Sequence, residues 1–355
     1  MASTNVRPTS LVARFLLAVI GLGCAGVGAA QEYQVIDLGD FKPGKRIISV
    51  GDGGFVLAGN VNGESGPRPL LYSVKNGQAN WLPTPPRCQF ALASSVNKKG
   101  EAVGCNENNA VLWRANGAIV DLGGREAFAM DLNDYGAIAG YKVLPGGYRG
   151  YSTPVVWNTD GGMIAITPPQ GGFGRAEAIN NKGEVAGYEF QIVNGTHTSE
   201  RPFKWSRTAG IVWLAVPDGA NTSIAQAIND DGYAVGFASS TIPSLDAQAM
   251  LWDPDGTPHA LARGLGWICQ ASAINNHNVI VGETPTKSGT EGWLWTKENG
   301  LVKLSTLVKA PRWTFSSPSA IDDDGNIAGI GEYAGHMHGF MLVVVKPAAL
   351  GAAGK

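Results

Sequence analysis

The sequence predicts an all-β chain, a seven-bladed β-propeller of four-stranded blades, on three observations. First, one block recurs in order: "SSVNKKGEAVG" (94–104), "MDLNDYGAIAG" (130–140), "EAINNKGEVAG" (177–187), "QAINDDGYAVG" (226–236), "SAINNHNVIVG" (272–282) and "SAIDDDGNIAG" (319–329), with a degenerate copy, "ISVGDGGFVLAG", at 48–59. Second, the copies follow one another at 36 to 49 residues, the length of one small supersecondary unit. Third, each copy is followed by an apolar segment such as "AVLW" (110–113), "PVVW" (154–157), "PFKW" (202–205), "AMLW" (249–252) or "GWLW" (292–295), and then by a further short strand. Four-stranded units in series bury both faces by radial stacking, which leaves only short sheet edges exposed.

Within each unit the first two strands form a hairpin. A strand ending in Ile, Val or Leu meets a turn rich in Asn, Asp and Gly, and an alternating strand then leads to a final Gly. Asn and Asp bond their own backbone and tolerate left-handed dihedrals, so "NDDG" and "DDDG" read as turn chemistry. The D-x-D-x-D-G spacing of a calcium loop is absent. The third strand ends in the recurrent Trp, a large ring suited to the gap between stacked sheets. The fourth strand follows a Gly-containing turn, as in "AIVDL" or "LVKLS". Ala93, Ala129, Ala176, Ala225 and Ala271 lie three residues before the strand-ending Ile, Val or Leu, and place the first strand at the crowded axis.

The last copy has no fourth strand after "HGFMLVVV" (338–345), whereas "YQVIDLGD" (Tyr33–Asp40) repeats the end of a unit, as at 118–124. The N-terminal strand is therefore expected to complete blade seven. The repeats start near residues 46, 90, 127, 174, 222, 267 and 316 of one domain spanning 31–346, with a flexible tail at 347–355. The count falls to six if the degenerate first copy forms no blade.

These blocks, with "HGFML" (338–342), resemble the extracellular HAF repeat family, whose unit runs roughly "GINDxGxVVGxS…HAFLW…GxxxDLGTLGG". "YQVIDLGDF" and "IVDLGGREA" are similar to the end of that unit. The likeness covers essentially all of the chain after residue 30. His stands at the "HAF" position only at His338, with Arg68-Pro69, Thr153-Pro154 and Arg201-Pro202 at other copies. The resemblance implies export and a repeat-built propeller, and carries no reaction.

Residues 1–30 read as a secretion signal: Arg7 and Arg14 precede an apolar run, and Gly28 and Ala30 fit a small-x-small cleavage pattern before Gln31. The expected location is extracellular or periplasmic. No later segment is long enough for a membrane span. A net charge of −2 with 16% charged residues gives no basic field, which excludes nucleic acid as the expected partner. Cys88, Cys105 and Cys269 remain after residue 30; Cys88 and Cys105 flank one hairpin and are the candidate disulfide, leaving Cys269 over. Neither these cysteines nor the pair His336 and His338 beside Glu332 makes a metal site, and no cofactor is expected.

The strand order puts the tight turns on one end. The other end collects the longer segments 141–153, 167–175, 188–201, 237–248 and 305–317. Varied loops on a rigid scaffold are the default place for binding. They would present Arg87, Arg125, Tyr148, Arg149, Phe173, Arg175, Glu189, Trp267, Glu283, Arg312, Trp313 and Glu332. Of these, Arg125, Arg175, Glu189, Trp267, Glu283, Arg312, Trp313 and Glu332 are the candidate ligand-binding residues. Rings with Arg and Glu suit a carbohydrate or protein through stacking and charge-assisted hydrogen bonds. The expected function is a non-catalytic binding or interaction module. The alternative is a carbohydrate-active hydrolase or lyase using paired carboxylates near the channel mouth, drawn from Glu177, Glu189, Glu283 and Glu332, each expected on a different blade. No GxSxG or HExxH motif is present.

Overall fold

A computed structural model of the chain describes residues 32–40, 48–51, 54–63, 66–73, 76–84, 91–106, 109–145, 151–158, 162–168, 172–193, 196–241, 246–261 and 269–345. The expected signal segment, the C-terminal tail, Arg87, Cys88, Tyr148, Arg149 and Trp267 lie outside them.

The fold is a β-propeller of four-stranded antiparallel blades. After β1 (Tyr33–Asp40), one sheet comprises β2 (Ile48–Gly51), β3 (Phe55–Gly63), β4 (Gly66–Ser73) and β5 (Gln78–Trp81). The next holds β6 (Ala91–Val96), β7 (Ala102–Asn106), β8 (Asn109–Trp113) and β9 (Ile119–Arg125); another holds β10 (Ala127–Leu132), β11 (Ile138–Val143), β12 (Ser152–Trp157) and β13 (Met163–Ala165). An eight-stranded sheet follows. Its first half is β14 (Phe173–Ile179), β15 (Val185–Val193), β16 (Thr196–Ser206) and β17 (Gly210–Trp213). Its second half is β18 (Thr222–Ile228), β19 (Ala234–Ser239), β20 (Gln248–Trp252) and β21 (Pro258–Ala260). The halves meet through one parallel bridge, Glu200 to Thr222.

The series continues with β22 (Gln270–Ile274), β23 (Ile280–Thr286), β24 (Gly289–Thr296) and β25 (Gly300–Lys303), then the short helix α1 (Leu304–Leu307). It ends with β26 (Trp313–Ile321), β27 (Ile327–Tyr333) and β28 (His336–Val344). That sheet is completed by β1, in the order β1-β28-β27-β26, with Tyr33 opposite Val344 and Asp40 opposite His338. The first and last of the described strands are thus joined by a backbone ladder. The first strands β2, β6, β10, β14, β18, β22 and β26 neighbour one another in that order, and β26 returns to β2.

A hydrophobic cluster lies between each pair of neighbouring sheets. Trp113, Trp157 and Trp252 are fully buried in these layers, while Trp205 and Trp295 pack against them half-buried. Each large side chain so buried contributes about 1.5–3 kcal/mol. Ala93, Ala129, Ala176, Ala225 and Ala271 are also in these layers, at 0–1% exposure. They face a neighbouring blade and not the axis, which corrects the expectation that they fill the centre. The strand they sit on is innermost nonetheless.

Two further expectations change. Segment 188–201, read as a long loop, is a hairpin in which β15 and β16 run on to Val193 and Thr196. The final Gly of each block has a role in the sheet: a Cβ at Gly104, Gly140, Gly187, Gly236, Gly282 or Gly329 would overlap a carbonyl oxygen of the first strand. At that point the first strand carries a β-bulge, and only a residue without a side chain lets the backbones approach so closely.

Candidate functional site

The turn end is closed by its own polar groups. Asn97, Asn133, Asn180, Asn229 and Asn275 each accept, through Oδ1, backbone N–H groups two and four residues on, at 2.9–3.2 Å. This is the expected turn chemistry. Asn278, which stands where other copies have Gly, takes φ 59°, within the left-handed range Asn tolerates.

The same carboxamides do something the turn reading missed. Asn97 Nδ2 donates to Asn133 O at 3.3 Å, Asn133 to Asn180 O at 2.9 Å, and Asn180 to Asn229 O at 2.8 Å. Asn229 then donates to Asn275 O at 3.1 Å and Asn275 to Asp322 O at 2.9 Å. The next residue of each turn forms a second row: Lys98, Asp134, Asn181, Asp230, Asn276 and Asp323 are linked by backbone N–H donation to the following side-chain oxygen at 2.7–3.1 Å. Asn181 Nδ2 reaches both Asp134 and Asp230, Asn276 Nδ2 reaches both Asp230 and Asp323, and Lys98 Nζ pairs with Asp134 at 3.0 Å. The carboxylates of this belt are therefore engaged between blades.

Inside the belt lies an axial cavity of about 410 Å³. Asp131 is half-buried at its wall and accepts from Ser95 Oγ (2.6 Å), Leu132 N (2.9 Å) and Ile179 N (2.9 Å), tying three neighbouring sheets together. Burial pushes its pKa up, against these hydrogen bonds. Glu177, a bulge residue of β14, lines the cavity; burial raises its pKa and Arg175 opposes the rise.

At the loop end the candidates fall into separate groups. Arg175 lies over the ring of Tyr141, 4.4 Å from its centroid, and is strand-paired with Tyr188. Burial raises the Tyr188 pKa, with Glu177 adding to the shift. Nearby, Tyr151 meets Phe173 edge-on at 4.7 Å, and Phe173 packs against Phe190. Glu189 is buried on β15, one residue from Tyr188 and hence on the opposite face of the sheet. Its pKa is raised by burial, with Arg201 acting against the shift.

The second group is on β26 to β28. Trp313 stacks on Phe315 at 5.6 Å, packs against Tyr333 at 5.3 Å, and meets His338 and Phe340 edge-on. Arg312 lies over the Tyr333 ring at 4.8 Å and donates to its hydroxyl at 3.3 Å. His338 Nδ1 is 2.8 Å from Asp37 of β1, so the closing strand also meets the aromatic group. His336, opposite Tyr333, is exposed beside it, while the exposed Glu332 and Met337 pair with each other on the opposite face of the sheet.

Arg312 and Trp313 are thus brought together at Tyr333, Glu332 shares their sheet but lies on its opposite face, and Arg175 and Glu189 share another sheet. Glu283 stands apart, half-buried on β23. Arg125 ends β9, with its side chain outside the described residues. Glu177 and Glu189 lie on strands of one sheet, β14 and β15, which corrects their assignment to different blades. Among the described residues no group of three His, Cys, Asp or Glu side chains is placed to hold a metal ion. Cys105 is buried; Cys269 is buried and receives a hydrogen bond from Thr284 Oγ1 at 3.2 Å. Tyr141, Tyr188 and Tyr333 were missed from sequence: the first two open segments 141–153 and 188–201 but are strand residues whose Arg contact depends on cross-strand pairing and neighbouring blades, and Tyr333 ends a strand.

No family model matches the chain, and no curated protein matches it by sequence. Solved structures do. An oligogalacturonate lyase in complex with manganese superposes with a TM-score of 0.60 at 11% identity, covering 90% of this chain and 95% of that one. The β-propeller domain of the trilobed protease from Pyrococcus furiosus, described as having an open velcro topology, gives 0.58 at 9% identity, with 89% and 94% covered. A prolyl endopeptidase gives 0.54 at 10%, with 89% of this chain and 51% of that chain covered. At these identities the likeness is one of fold, and propellers host many unrelated activities.

Proposed function

We propose that the chain is an exported, seven-bladed propeller of the HAF-repeat kind that acts as a binding module, with an extracellular carbohydrate or protein taken at the loop end. The observation that carries this reading is the Arg312, Trp313, Tyr333 and His338 group. It is a packed aromatic patch with an Arg at its edge and exposed His336, opposite Tyr333, beside it. Trp, Tyr and Arg are the residues that anchor recognition surfaces, and a polar rim suits a reversible one. The blade number is supported by the ring of first strands and by β1 completing the last sheet. Export is supported by the signal-like residues 1–30 and by the resemblance of the repeats.

The test is a glycan array and an extracellular-protein binding screen on the chain from Gln31 onward, with product release assayed for every hit. Binding without turnover, weakened at least tenfold by Trp313→Ala or Arg312→Ala, is the expected result. Release of shortened glycan would instead establish the hydrolase or lyase alternative, and binding indifferent to both substitutions would move the site elsewhere.

A further inference from the structure

The axial cavity holds side chains that neither the belt nor the loop-end surface uses. At one equivalent place six first strands carry a β-bulge, and the extra residue is Ser94, Met130, Glu177, Gln226, Ser272 or Ser319. All six line the cavity. A bulge re-aims a side chain at the expense of a regular ladder, and here each one also requires the glycine opposite it. The repeat therefore directs one side chain per blade at the axis. If the axis needed only filling, apolar residues would serve; five of these six bear a hydroxyl, amide or carboxyl group.

The polar groups in and around the cavity differ in how they are engaged. Asp131 and the belt residues Asp134, Asp230 and Asp323 are hydrogen-bonded to neighbouring blades. The side chains of Ser94, Glu177, Gln226 and Ser272 take no hydrogen bond among the described residues. They present both donors and acceptors from different directions around one axis, above a wall that includes Ala178, Ala227 and Ala273. The volume, about 410 Å³, is within the roughly 300–1,000 Å³ of small-molecule sites.

We propose that the axial cavity is a second site, independent of the loop-end surface, which binds a small neutral polyhydroxylated molecule of mono- or disaccharide size. Glu177, Gln226 and Ser272 hydrogen-bond its hydroxyls, and the alanine wall packs against its C–H faces. A neutral ligand is favoured because the belt carboxylates are already engaged between blades and the other bulge side chains, Ser94, Gln226 and Ser272, are uncharged. A ligand there would touch several blades at once and so stabilise the closed ring by mass action.

The test is saturation-transfer NMR and calorimetric titration with glucose, galactose, mannose, maltose and cellobiose, with ethylamine and acetate as charged comparisons. Expected is binding of at least one sugar, with Kd raised at least tenfold by Gln226→Leu and by Ser272→Trp, which plugs the cavity from another blade. Circular dichroism on each variant establishes that it is folded, and Ser94→Ala supplies a milder third position. Binding of none of the sugars, or of the charged probes alone, overturns the proposal. So does sugar binding that survives the plug but is lost in Trp313→Ala, an outcome that would place it at the loop end.

Discussion

At the turn end, the carboxamide of Asn180 closes its own turn and reaches the next blade at once; at the loop end, Arg312 lies over one ring with its head exposed. Both ends come from the same repeat. The turn end uses its polar atoms on one another, so its side chains are structural even though they are Asp and Asn, which are often read as ligands. The loop end leaves aromatic and charged groups facing outward on strands held rigid from below. What separates them is how far hydrogen-bonding capacity is already met, since a buried donor or acceptor without a partner costs about 1–3 kcal/mol. Polar residue type alone does not distinguish support from recognition.

The comparison breaks most completely if the ring itself opens. Deleting residues 31–40 removes the β1 ladder and exposes the layer under Leu38 and the contacts of Tyr33, so a loss of at least about 5 kcal/mol is expected in chemical denaturation. Unchanged unfolding after that deletion would show that the closing strand is dispensable.

At the belt, Asn180→Ala leaves the N–H groups of Lys182 and Glu184 and the carbonyl of Asn229 without their partner. About 2–4 kcal/mol should be lost, with binding at the loop end retained if the protein is assayed well below its melting temperature. A loss under about 0.5 kcal/mol would mean that the belt does not hold the blades.

Glu177 sharpens the contrast between the belt and the cavity. Its folded pKa is raised by burial, so as pH climbs from the ordinary carboxylate range through the raised value, the folded state keeps a proton that the unfolded chain has released. Stability contributed by the protonated form is present at lower pH and declines across that window. Glu177→Gln should flatten this decline and leave the protein more stable above it, which thermal melts from pH 4 to 8 would reveal. A steeper decline in the variant would reverse the assigned sign.

The smallest stability effect is expected at the loop end. Arg312→Ala should change stability by no more than about 0.5 kcal/mol, as for exposed residues generally, while weakening ligand capture. A large destabilisation would make that end structural like the other.

Much of this was legible in the residues. The recurring blocks specify hairpins because Asn, Asp and Gly bond or bend the backbone within a few residues, and the echo between 33–40 and 118–124 located the closing strand. Arg312 and Trp313 could be picked out as loop-end residues because the long segment 305–317 that carries them leads into the last repeat. The belt was not legible, since Asn180 and Asn229 are 49 residues apart and meet only after two blades stack. Segment 188–201 also misled: polar and Gly-containing, it continues as a ladder because Tyr188, Glu189 and Phe190 keep pairing with Pro202, Arg201 and Glu200.

Sequence alone therefore determined the repeating unit, the turns and the order in which strands enter the ring, all of which depend on contacts between near neighbours in the chain. Tertiary structure decided which polar atoms satisfy one another, which residue each bulge aims at the axis, and why a glycine must stand opposite it. Those depend on distances between blades, which no single repeat contains.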